Sequence, residues 1–169
     1  MDTDQKFHPG EHWELVGDIA VRGRLSISDT SYFYDHPIIV EVIPEHYSVR
    51  VRYVSSEGHN YIAGVRVAHH GSLARATWMG NVTVDFAQIG ICDRDAAEFA
   101  FNLLGDGGMP YYYKQLDTVG SVEWVQLPGS VKMLVIRPGF GDGSYPVYQL
   151  LRSDGTKAGI EIDCLHPLH

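Results

Sequence analysis

The segment Gly139-Phe-Gly-Asp-Gly-Ser-Tyr-Pro-Val-Tyr148 sets one carboxylate, Asp142, among three glycines and just ahead of an aromatic run. Glycine accepts positive φ and lets another group approach the backbone closely. The loop can therefore cradle a polar ligand group or a cation around Asp142. The same carboxylate can instead accept hydrogen bonds from nearby amides and lock the loop as an Asx-turn. Tyr145-Pro146 favours the lock, because the residue before proline is biased to extended geometry. Asp85, Asp93 and Asp163 form a second set, each ending a β-like run. On neighbouring strands, Asp85 and Asp163 would make a carboxylate pair with split pKa values, suited to acid–base work. Otherwise each caps a turn or, for Asp93, the helix that follows.

Histidine is frequent, with nine in the chain, among them His46, His59, His69, His70 and His166. A histidine beside a carboxylate is the minimum for general-base catalysis. No H-x-H or H-E-x-x-H spacing occurs, and neither metal nor cofactor is expected. His69-His70 follow a strand, and adjacent residues there face opposite ways, which reads as exposed loop histidines. G-x-S-x-G, P-loop and G-x-G-x-x-G templates are absent, and the glycines of 139–143 lead into a strand rather than a helix N-terminus. Tyr111-Tyr-Tyr113, Trp124, Tyr145 and Tyr148 concentrate aromatic side chains after residue 110. Such side chains are enriched at binding surfaces and also in β-sheets. Tyr111, Tyr112 and Tyr113 stand out because three consecutive residues cannot all point inward.

The 169 residues suit one domain with a core of ordinary size. A hydrophobic fraction of 44% and a charged fraction of 20% match a globular protein. With 13 basic and 21 acidic residues the net charge is −8, which opposes nucleic-acid backbones and anionic lipid. Cys92 and Cys164 belong to no CxxC pair and read as buried apolar thiols. The polar, acidic N-terminus and the lack of an apolar run near 18 residues lead to the expectation of a cytoplasmic protein.

These residues need a scaffold, and the pattern is β. Residues 1–15 read as a polar lead-in to one domain, 16–169. Residues 23–28 alternate apolar and polar. Residues 37–43 are apolar and β-branched, as in a central strand. Residues 47–54 alternate strictly and pair with 61–68 as a hairpin; as a long edge, 47–54 could also meet a second copy in a homodimer. Further strands are expected at 81–86, 88–92, 121–126, 131–136, 145–151 and 158–164, the last two joined by a type I′ turn at Asp154-Gly155. One helix is expected near 95–104, with Asp95 and Glu98 as a capping box and Gly105 as its stop. A mobile loop then runs through Tyr113. About ten short strands and one helix indicate a β-sandwich or open barrel.

In its motifs the chain resembles the bacterial family called domain of unknown function 4241. The resemblance rests on Gly141-Asp-Gly-Ser-Tyr-Pro-Val-Tyr148, on Gly159-Ile-Glu-Ile-Asp163, and on Gly23-Arg-Leu-Ser-Ile-Ser-Asp29. It extends to Ile43-Pro-Glu-His-Tyr-Ser-Val49 and Val84-Asp-Phe-Ala-Gln-Ile-Gly-Ile-Cys-Asp93, where His46 and Ala87 replace customary glycines. It implies a fold and no particular reaction. Without a complete catalytic template, the expected role is a non-catalytic binding module for another protein, with Asp142, Tyr145, Tyr111, Tyr112 and Tyr113 as its contacts. The alternative is a hydrolase-type enzyme using Asp142, or an Asp85/Asp163 pair, with a histidine.

Overall fold

A computed structural model describes residues 4–5, 13–33 and 36–165. Its strands are β1 (Asp4–Gln5), β2 (Glu14–Val21), β3 (Arg24–Asp29), β4 (Ile38–Glu41), β5 (Glu45–Ser56), β6 (His59–Ala68), β7 (Arg75–Val84), β8 (Ile89–Asp93), β9 (Val122–Leu127), β10 (Val131–Ile136), β11 (Gly143–Leu151) and β12 (Lys157–Asp163); α1 (Arg94–Asp117) follows β8. They form two antiparallel sheets, one in the order β1-β7-β11-β12-β6-β5-β2 and one in the order β4-β3-β8-β10-β9. The inward positions of both sheets make one core, with Val49, Val51, Val65, Val67, Val147 and Ile160 from the larger sheet and Leu25, Ile27, Ile89, Ile91 and Leu134 from the smaller. The fold is thus a sandwich, not a closed barrel.

The helix covers the outer face of the smaller sheet. Ala97, Ala100, Phe101, Tyr112 and Leu116 pack on Cys92, Val125, Met133 and Val135. This face explains why β8 and β10 read as continuous apolar runs: they are buried on both sides. Cys92 and Cys164 are buried free thiols.

Several expectations need correction. The segment 105–113 is helical, not a mobile loop. Gly105 does end the first helical stretch, with φ 59° and ψ −179°, but the helix resumes beyond it and reaches Asp117. Burial of Tyr112 and Leu116 outweighs the poor propensity of Gly107, Gly108 and Pro110. The cap is Asp93, whose Oδ2 accepts the Ala96 N–H at 2.8 Å; Asp95 pairs with Arg24 at 2.7 Å and Glu98 with Arg94 at 2.8 Å. Strand 47–54 is not an edge, because β2 pairs along it from Glu14 to Val21. That strand begins inside the stretch read as a lead-in. The 152–156 turn has positive φ at Gly155 but not at Asp154, so it is not type I′.

Two tyrosines fix the starts of β5 and β11. Tyr47 and Tyr145 are fully buried. Each donates its hydroxyl to the carbonyl four residues upstream, Tyr47 to Ile43 at 2.5 Å and Tyr145 to Gly141 at 2.8 Å. This resembles the tyrosine corner of other β-sandwiches. Burial pushes both phenols up to about 12.

Candidate functional site

At one end of the sandwich, the loop between β7 and β8 turns back with three consecutive amides exposed to capture. Asp29, at the end of β3, is buried, and its Oδ2 accepts the N–H groups of Asp85 at 2.7 Å and Phe86 at 3.0 Å. Its Oδ1 accepts the Ser31 N–H at 2.8 Å, which starts the short 3-10 turn Thr30–Tyr32. The third amide, Ala87 N–H, donates to Asp142 Oδ1 at 2.8 Å. Two carboxylates distant in sequence therefore clamp one loop, and the loop displays Phe86 at 60% exposure.

Gln88 closes the construction from below. Its buried side chain accepts from the Thr30 hydroxyl at 3.0 Å and donates to the Leu116 carbonyl at 2.8 Å. Tyr112 donates its hydroxyl to the Thr30 carbonyl at 2.7 Å. The 3-10 turn, the β7–β8 loop and the second half of α1 are thus tied together by buried hydrogen bonds, which are costly to break.

Above this base lie two adjoining cavities that share Ser31, Tyr32 and Tyr113. One, of about 480 Å³, is lined also by Phe86, Gln88, Leu116, Asp117 and Arg137. The other, of about 400 Å³, runs toward Phe101, Asn102, Asp106 and Met109. Tyr32 and Phe86 meet edge to face with ring centroids 6.4 Å apart. Tyr32, Phe86 and Tyr113 remain exposed. Phe140, in the loop that carries Asp142, is also exposed, and Gly139 of the same loop packs against the Tyr61 Cβ. Three exposed aromatics, Tyr32, Phe86 and Tyr113, thus line the cleft.

The sequence-selected residues divide. Asp142 is exposed, and its Oδ1 accepts the Ala87 N–H of the β7–β8 loop, 55 residues away, rather than a nearby amide as an Asx-turn would. Tyr145 and Tyr112 are buried, and Tyr112 also lines the cavity of about 400 Å³. Tyr113 lines both cavities, and Tyr111 is 66% exposed outside them. Tyr148 packs with Ala68, Ala76 and Leu150 on the outer face of the larger sheet. Trp124 bridges the sheets by donating its indole N–H to the Val16 carbonyl at 3.2 Å. Asp85 follows β7 and Asp163 ends β12, with β11 between these strands. Two strand spacings, about 10 Å, keep them from forming a pair.

His69 lies elsewhere. His69 is not an exposed loop residue: its Nε2 is 3.4 Å from Glu45 and its Nδ1 is 2.5 Å from the Arg152 guanidinium, which also donates to the His70 carbonyl. An arginine can only donate, so Nδ1 accepts and the Nε2 proton faces Glu45. Both ring nitrogens are occupied. Ile62 pairs with Pro138 at the aromatic end of β6, and His69 follows the far end of that strand, roughly 20 Å away at strand rise. No hydrogen bond or ion pair joins Asp142 to a histidine, and no group of three His, Cys, Asp or Glu side chains fit to hold a metal occurs, among the described residues. His166 lies outside them.

Reasoning from sequence overlooked Asp29, Tyr32, Phe86, Gln88 and Arg137. Asp29 closes a motif quoted above and so carried a signal, whereas Phe86 falls in the strand expected over 81–86, and β7 in fact stops at Val84. Gln88 and Arg137 carried none, because their roles depend on the approach of α1. No family model, curated protein or solved structure matches the chain.

Proposed function

We propose that the chain is a non-catalytic binding module whose contact surface is the aromatic end of the sandwich. The observation that carries this reading is the cleft of about 480 Å³ between Tyr32, Phe86 and Tyr113, built on a loop clamped by Asp29 and Asp142. Concave, mostly apolar sites with a few convergent polar groups are the usual form of a ligand site, and rigid aromatic anchors dominate the energetics of contact surfaces. Preorganisation lowers the cost of binding. The position of Asp142 fits this role, since its carboxylate holds the displayed loop. The hydrolase alternative draws less support: Asp142, Asp163 and His69 occupy separate places, each with its own partners.

Replacement of Phe86 and Tyr113 together by serine tests the reading. Proteins retained from native lysate by the wild type are expected to be lost by Phe86→Ser/Tyr113→Ser and kept by His70→Ala, which alters an exposed residue at the opposite end. Equal retention by all three contradicts the proposed surface.

A further inference from the structure

The groove has a charge pattern as well as an aromatic wall. Asp106, Tyr113 and Asp117 lie seven and eleven residues apart on the helix beyond Gly105, close to two and three whole turns, so they share one face. All three line the two cavities. Both carboxylates are exposed, and no ion pair engages either of them among the described residues. The remaining charged residue of the lining, Arg137, is held by its own bond, Nε donating to the Val119 carbonyl at 3.1 Å. Lys114, one step round the helix from Tyr113, lines neither cavity. The groove is therefore a track with an acid at each end and tyrosines between, on a chain of net charge −8.

Resting on the binding-surface reading, we propose that this groove takes an extended peptide segment of a partner protein, carrying two Lys or Arg side chains. The separation follows from geometry. Eleven helical residues at about 1.5 Å rise place the acids roughly 16 Å apart. An extended peptide covers that distance in about five residues at roughly 3.3 Å each, so the two basic residues stand about four to six apart. Each reaches a carboxylate, Asp106 or Asp117. The stems between lie on Tyr32 and Tyr113, whose faces also attract cations. The Arg137 Nη groups suit a main-chain carbonyl of the same peptide, since guanidinium only donates.

Selection from a displayed library of random dodecapeptides, made on the intact protein, tests this. Selected peptides are expected to share two basic residues at that separation. Titration of one such fluorescent peptide should show Asp106→Asn and Asp117→Asn each weakening binding about two- to fivefold, the range of a single exposed ion pair. Asp106→Lys/Asp117→Lys should turn the preference to peptides with Glu at the same places, with Tm unchanged, a reversal that a purely structural role would not produce. Peptides lacking basic pairs, peptides indifferent to both Asn variants, or no selected peptide at all overturns the inference. If partner capture is still lost in Phe86→Ser/Tyr113→Ser, the binding-surface reading survives that failure.

Discussion

Aspartate does most of the local work in this chain, and it does so as an acceptor of backbone N–H groups. Asp29, Asp93, Asp142, Asp154 and Asp163 each hold at least one amide. Asp29 holds three and is buried, while Asp142 holds one and is exposed. Loss of a carboxylate that leaves buried donors unpaired is far more damaging than loss of an exposed one. Asp29→Ala is expected to cost about 3 kcal/mol, lowering Tm by roughly 6–12 °C. Asp142→Ala should cost about 1 kcal/mol. Thermal unfolding of both variants checks the order, and an Asp142 variant as unstable as the Asp29 one contradicts it. The choice between turn lock and ligand cradle for Asp142 was legible in the sequence as a choice only. The Asp142 bond to the Ala87 amide, 55 residues away, is one that no local pattern reveals.

Among the elements, periodicity carried far. The hairpin β5–β6, the strands β8 to β12 and the first half of α1 follow from alternation, β-branching and helical spacing. The second half of α1 does not, because Gly107, Gly108 and Pro110 argue against a helix whose stability comes from Tyr112 and Leu116 docking on the sheet. Likewise β2 is hidden by Gly17 and Asp18, and only its pairing with β5 makes it a strand. Gly105 sets the angle between the helical halves, at φ 59° and ψ −179°, a region close to glycine-only. A side chain there would meet no atom within 4 Å, so any penalty of substitution is backbone strain. Gly105→Ala is expected to cost about 1–3 kcal/mol and to weaken partner binding by displacing Asp106 and Tyr113. Calorimetry combined with binding measures both effects; an unchanged Tm would mean that the bend is relaxed in solution.

At the scale of the whole molecule, Tyr145 ties the core to the loop that carries Asp142, while Tyr47 lies beside His69 at the opposite end. Burial raises the Tyr47, Tyr145 and Cys92 pKa values to about 12, from ordinary values of 10, 10 and 9. Each group is neutral when protonated, so the unfolded chain releases these protons first. Above about pH 9 the unfolded state binds fewer protons than the native one, and stability falls with rising pH until the native groups titrate near 12. Urea unfolding from pH 8 to 11 should show a falling midpoint, and a flat profile contradicts the burial of these groups. The mainly β fold and its helical layer could be read from sequence, whereas the cleft arises only where β3, the β7–β8 loop and α1 converge. The most direct test of the central claim is calorimetric titration of a recovered partner against the wild type and Phe86→Ser/Tyr113→Ser. Loss of two exposed aromatic anchors should weaken binding at least about tenfold while Tm moves by no more than a few degrees. Undiminished affinity in the folded double variant would place the binding surface elsewhere on the molecule.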